Sequence, residues 1–258
     1  MKHRQLFQLL RANARQRDDG KPSIRSEVTN TEAHVYIYDV IDAWWGANAT
    51  DLITALAAAG EREVHAHINS PGGDVFEGRA MAAALAAHPG NVITHIDGLA
   101  ASAATYVALA GSEVRITRGG MVMIHEGWTM GWGNKRELGK TVDLLDKVDR
   151  QIAADYAAKT GLPLDEVLKL MEAETWYTED EALAAKLVDV IDTNTKRADG
   201  TNDTETASNR VADWNLSAFR NAPKFEKRKK TSDEADLNAA VAAQLQANRN
   251  RLRLLTAH

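Results

Sequence analysis

Residues 63–104 read EVHAHINSPGGDVFEGRAMAAALAAHPGNVITHIDGLAASAA. Glu63–Asn69 alternates apolar and polar side chains at the period of a strand. Ser70–Asp74, with Pro71 and two glycines, reads as a turn, and Val75–His88 as a helix. Val92–Ile96 is a second strand, and Ala101–Gly111 a helix of very small residues. Strands and helices that alternate over such short spans predict an α/β layered fold with largely parallel strands.

The same texture extends outward. His34–Val40 (HVYIYDV), Glu113–Thr117 and Met121–His125 read as strands, and Asn48–Ala59 as a helix opening on a polar cap. Asn134–Lys159 is a long charged helix, followed by another over Pro163–Glu172. Thr178 and Glu181 have the spacing of a capping box, and Val188–Ile191 closes the series as a strand. Before it, residues 1–32 are polar and charged and suggest a short helix and a loose arm. After it, residues 194–230 read as a linker, too polar to offset the entropy of ordering. The linker holds one apolar island, Trp214–Phe219, and a basic run, Lys224–Lys230. Thr231–Glu234 is a second capping box that opens a C-terminal helix over residues 231–258. Its stripe of Leu237, Val241, Leu245, Leu252 and Leu255 is too thin to form a core alone, so that helix needs a partner. The peptide thus divides into an arm (1–32), a domain (33–193), a linker (194–230) and a terminal helix.

Composition narrows the chemistry. The 258 residues are 44% hydrophobic and contain no cysteine, which removes disulfides, thiolate metal sites and a thiol nucleophile. No apolar run is long enough to span a bilayer, and Leu6–Leu10 is too short for a signal-peptide core, so a soluble intracellular protein is expected. The net charge of −5 divides unevenly, because residues 195–258 hold 12 Lys and Arg against 8 Asp and Glu.

Four positions could carry chemistry. Backbone N–H groups of Ser70–Asp74, at a strand end before a helix, could bind a developing oxyanion, although a plain tight turn explains the glycines equally well. No Lys follows at the position a phosphate loop would need. Ser102 stands at the predicted start of a helix among alanines, where a packing serine is the ordinary reading. His125 ends a strand, and Glu174 lies in EAETWYT beside Trp176. Together they form the parts of acyl transfer: nucleophile, base, orienting acid and oxyanion donors. His65 and His67 share a strand face but have no third ligand in the segment, so no metal and no cofactor are expected. The basic run lacks aromatic interleaving and reads as solvated charge rather than a nucleic-acid site.

INSPGGDV, GLAASAA, MVMIH and ETWYTEDEALAAKLVD, in that order over residues 34–192, resemble the proteolytic subunit of the Clp protease (ClpP). Gly73 precedes Ser102 by 29 residues, His125 follows Ser102 by 23, and Glu174 follows His125 by 49. The resemblance implies ClpP/crotonase-like layered β-β-α repeats with a handle helix over Asn134–Lys159, to which this chain adds a C-terminal helical extension. It makes Ser102 the nucleophile and His125 the base, with Gly73 and the N–H of Ala103 as oxyanion donors. The family's acid, an Asp, falls on Glu174, with Thr175 and Asp180 as weaker claimants. Substrate would lie as an extended strand along Gly72, Val75 and Phe76 on one side and Glu126, Gly127 and Trp128 on the other.

The tryptophan-containing EGW and ETW segments and the basic tail are most similar to the ClpP-related head maturation proteases of tailed bacteriophages and prophages. That likeness implies a homo-oligomeric ring in the bacterial cytoplasm or procapsid, cutting scaffold and coat proteins. Rival readings are a general Clp-type subunit working with an unfoldase, a crotonase-type acyl-CoA enzyme, and a non-catalytic capsid scaffold.

Overall fold

The computed structural model describes residues 12–14, 23–129, 131–192, 211 and 213–224. The C-terminal helix, the basic run beyond Lys224 and most of the linker lie outside these residues. Eight strands of the described residues form one sheet: β1 (Arg25–Val28), β2 (Glu32–Ile37), β3 (Glu63–Ser70), β4 (Val92–Ala101), β5 (Glu113–Thr117), β6 (Met121–Ile124), β7 (Thr175–Thr178) and β8 (Val190–Asp192). Among the described residues six helices accompany them: α1 (Ala49–Ala59), α2 (Val75–Ala86), α3 (Ala103–Leu109), α4 (Lys135–Thr160), α5 (Leu164–Glu172) and α6 (Glu179–Ala184).

The main path runs β1-β2-β3-β4-β5-β8, all parallel after the antiparallel β1–β2 edge. β4 is long enough to serve two neighbours. Its first half pairs with β5 through Ile93–Ile96, and its end pairs with β6 through Leu99–Ala101. A register shift between Ile68 and Ser70 accompanies this change of partner. β6 then carries β7 antiparallel on its outer side. The split delivers the end of β4 and the end of β6 to the same place.

One face of the sheet is apolar and buried, with Val35, Ile37, Val64, Ala66, Ile68 and Ile96 packed into the main core. The helices that cover it are fixed by the caps their sequences encode. Asn48 accepts from Asp51 N–H at α1, Asn134 and Glu137 form a capping box at α4, and Thr178 and Glu181 form the expected box at α6. The opposite face is half-buried and polar. There His34, His65, His67 and His95 lie in neighbouring registers of β2, β3 and β4. His34 Nδ1 meets His67 Nε2 at 3.1 Å, and His65 Nδ1 meets His95 Nε2 at 2.9 Å. Carboxylates stand at the ends of these pairs: Glu32 at His34, Asp97 at His67 and Glu63 at His65. The rings stack, with His67 and His95 centroids 4.7 Å apart. Among the described residues no group of three or more His, Asp or Glu is arranged to hold a metal. No helix among them is long and apolar enough to cross a membrane.

The structure departs from the sequence reading in three places. The arm expected to be loose contributes β1, paired over Arg25–Val28 with Ala33–Tyr36. The segment EAETWYT around Glu174, to which the sequence reading gave no strand, contains β7. The apolar island is not linker in character: Val211, Trp214, Leu216 and Phe219 form a second small core with Leu99, Ala101 and Met123. The Trp214 indole donates to Asn69 Oδ1 (3.0 Å), and Asn215 and Asn13 exchange two hydrogen bonds.

Candidate active site

Ser102 occupies the junction between β4 and α3. Its N–H donates to Met123 O (2.9 Å), which ties the junction to β6. Its backbone lies at φ +53° and ψ −126°, in territory that only glycine enters freely. A side chain held there costs about 1–3 kcal/mol and persists only when its surroundings enforce it. The enforcement is visible. Alanines 103 and 104 are buried, and Gly78 of α2 lets the two helices close up: a Cβ at that position would stand 2.9 Å from Ala103 O.

The glycine turn packs directly against this junction. Gly72 has φ +85°, and a Cβ there would come within 2.8 Å of Ser102 Cβ and 2.9 Å of Ala103 N. Gly73, at φ +154°, is pinned from outside: Ile41 N–H donates to Gly72 O and Asp74 N–H to Ile41 O. That bridge does not use the Gly73 N–H. Gly73 and Ala103 both line the cleft that holds Ser102.

His125 follows β6 directly. Its Nε2 lies 2.7 Å from Ser102 Oγ, so the two residues separated by 23 positions form a hydrogen-bonded pair. With Nε2 unprotonated, the hydroxyl is the donor. Burial is the chief cause that pushes the imidazole down from its ordinary 6.5 to about 4; the Glu174 carboxylate opposes the shift and the Arg220 guanidinium adds to it. The imidazole is therefore neutral, and able to take a proton, throughout the neutral range.

Glu174 is buried at 5% exposure and also takes a positive φ, +53°. It lines a second cleft together with His125, yet no hydrogen bond joins them. Its oxygens accept instead from the N–H groups of Arg220 (2.9 Å) and Asn221 (2.6 Å), and from the Trp176 indole at 3.4 Å. The other claimants are engaged elsewhere. Asp180 pairs with Arg118 at 3.0 Å, and Thr175 Oγ1 donates to Leu170 O.

Of the expected substrate contacts, Val75, Glu126, Gly127 and Trp128 line the Ser102 cleft. Gly72 backs it, and Phe76 is 67% exposed and does not line it. The Gly127 N–H already donates to Asp149 (2.6 Å), so in this state that donor faces α4 rather than open cleft. Three residues absent from the sequence-based site belong to it in space: Phe219, Arg220 and Asn221. The one signal for them was an aromatic island inside a polar stretch.

A serine in strained backbone geometry, hydrogen-bonded to a neutral histidine beside a glycine turn, is an arrangement able to perform acyl transfer. Residues 21–195 match the Clp protease family. The match covers more than half of the sequence, and the chain belongs to that family. It is similar to ATP-dependent Clp protease proteolytic subunit 3 of Rhodococcus jostii (strain RHA1), at 29% identity over 153 residues, 58% of this chain and 76% of the relative. Subunit 1 of Leifsonia xyli subsp. xyli (strain CTCB07) is 27% identical over 145 residues, 55% of this chain and 74% of the relative. The proteolytic subunit of Pleurastrum terricola is 30% identical over 133 residues, 50% of this chain and 67% of the relative.

Proposed function

We propose that this chain is a serine endopeptidase in which Ser102 is the nucleophile and His125 the general base. The observation that carries this reading is the 2.7 Å contact between Ser102 Oγ and His125 Nε2. Ser102 Oγ attacks the scissile carbonyl as its proton passes to Nε2. The N–H groups of Gly73 and Ala103 receive the oxyanion, a donor of this kind contributing about 10²–10³ in rate. The protonated imidazole then gives its proton to the leaving amine. Water, deprotonated by the same nitrogen, releases the acyl group. Glu174 supplies negative charge near the imidazolium without bonding to it.

The substrates we infer are the scaffold and coat proteins of an immature phage capsid, cut by a homo-oligomeric ring. The tail of net positive charge and the tryptophan-bearing segments support that assignment. A second reading, a general Clp-type subunit supplied by an unfoldase, is favoured by the relatives, whose names carry the words ATP-dependent.

A fluorophosphonate probe tests the nucleophile. Labelling is expected on Ser102, located by mass spectrometry, and Ser102→Ala or His125→Ala should lower peptide cleavage by roughly 10⁴-fold or more. Full activity in either variant overturns the assignment. Coat and scaffold proteins offered without nucleotide separate the two substrate readings: cleavage supports the capsid role, and cleavage only with an ATP-driven unfoldase supports the other.

A further inference from the structure

The docked stretch Asp213–Lys224 lies beyond the residues that match the family, yet it reaches the base and the acid with three consecutive residues. The Phe219 ring is 9% exposed and stands edge-on to the His125 imidazole, with centroids 5.6 Å apart and an interplanar angle of 81°. A second edge contact, to Trp176 at 5.7 Å and 77°, holds that ring from behind. Arg220 and Asn221 turn their N–H groups onto the two Glu174 oxygens. Their side chains anchor the turn: Arg220 donates to Glu172 O and Asn221 to Ala173 O, both at 2.7 Å. Trp214 and Leu216 seat the start of the stretch on Leu99, Ala101 and Met123, the residues that lead into Ser102 and His125.

We propose that Phe219 is a positioning residue for the general base, and that Asp213–Lys224 is part of the peptidase site. The proposal rests on the reading of Ser102 and His125 as nucleophile and base. An imidazole bonded through Nε2 alone can rotate about its χ angles, and among the described residues no hydrogen bond reaches Nδ1. In a triad with a hydrogen-bonded acid, the acid prevents this rotation. Here the carboxylate is held away from the ring by Arg220 and Asn221, and the edge of Phe219 supplies the constraint instead. The same ring packs against one side of the half-buried imidazole, and it lines the cleft where substrate would lie beside Ser102. The groups that face His125 are the Ser102 hydroxyl, the Glu174 carboxylate, the Arg220 guanidinium and, next in the chain, Glu126.

The test uses the full chain with Phe219→Ala and the milder Phe219→Leu. Phe219→Ala is expected to lower kcat about tenfold or more, the loss that a misplaced reacting group produces, with a smaller change in KM. The acid limb of the kcat/KM profile should move upward, from about 4 toward the ordinary 6.5 of histidine, as water reaches the ring. Phe219→Leu, which keeps an apolar cover without an aromatic edge, should fall between the two and restore most of kcat. NMR titration of the His125 ring, assigned by its loss in His125→Ala, reads the same shift without any substrate. An unmoved His125 titration together with wild-type kcat in Phe219→Ala overturns the proposal, and in Phe219→Leu does so if the alanine variant does not fold. Absence of cleavage and of Ser102 labelling in the wild type overturns the peptidase reading instead, a result the NMR titration cannot imitate.

Discussion

At the scale of single residues, the acid decides most. Glu174, the proposed acid, ends on main-chain N–H groups rather than on the imidazole. Removing it has two effects. Glu174→Ala leaves the N–H groups of Arg220 and Asn221 without their acceptor, a loss of about 1–3 kcal/mol for each such group that becomes buried and unpaired. It also removes the negative charge that favours a protonated His125, so the acid limb of kcat/KM should fall below its wild-type position near 4. Asp180→Ala breaks only an exposed pair with Arg118 and should change both melting temperature and activity little. Thermal melts and pH–rate profiles of the two variants check this. A more damaging Asp180→Ala would transfer the role of acid to Asp180. The meeting of Ser102 and His125 was foreseen from the order of the motifs that resemble the Clp subunit, since position alone left each residue with an ordinary structural reading. The clamp on Glu174 was not, since its donors are backbone groups 46 and 47 residues further along and carry no side-chain signature.

At the scale of elements, the histidine face of the sheet sets an acid limit. Burial lowers His65 and is the chief cause that lowers His95 to about 3, as it lowers His125 to about 4. All three are neutral in the fold, whereas the unfolded chain binds protons below about 6.5. Their contribution to stability is therefore full above that value and is lost as pH falls toward 4 and then 3. Melting temperature should drop steadily from pH 7 to pH 4, and His95→Gln should flatten part of that slope. Alternation in Glu63–Asn69 foretold which side chains share this face, but strand order decides that His65 meets His95 and His67 meets His34. β7 was hidden for a similar reason: four residues, TWYT, have no periodicity of their own and become a strand only by pairing with β6.

At the scale of the whole molecule, α4 divides into two halves. Ile152, Ala153 and Tyr156 are buried, and Arg79 pairs with Asp155 at 2.7 Å, so the C-terminal half belongs to the body. In the other half Leu138, Val142 and Leu144 are 41%, 65% and 54% exposed. Apolar side chains displayed along a helix fit contact with further copies of the chain. Val142→Asp should then yield smaller particles in light scattering at micromolar concentration, without a change in far-UV circular dichroism; particles of unchanged size would place any contact elsewhere. A second outcome concerns the tail. Wild-type protein should shorten on storage by cleavage within residues 193–231, and Ser102→Ala should remain intact. The packing of residues 213–224 directs those cuts to either side of that stretch. Intact-mass spectra at full length for both proteins, under conditions where a peptide is cut, would make the tail a permanent arm.

The backbone at Ser102 has one more consequence, for the history of the chain as much as for its chemistry. A residue at φ +53° and ψ −126° is where a stability screen would select glycine, because relief of about 1–3 kcal/mol exceeds the roughly 0.5–1 kcal/mol that glycine's extra freedom costs. Ser102→Gly should thus melt a few degrees above Ser102→Ala, though both lack the hydroxyl. With Ser102 as the proposed nucleophile, the difference between these two variants would measure how far selection for a reactive hydroxyl has held the chain below the stability its own fold allows.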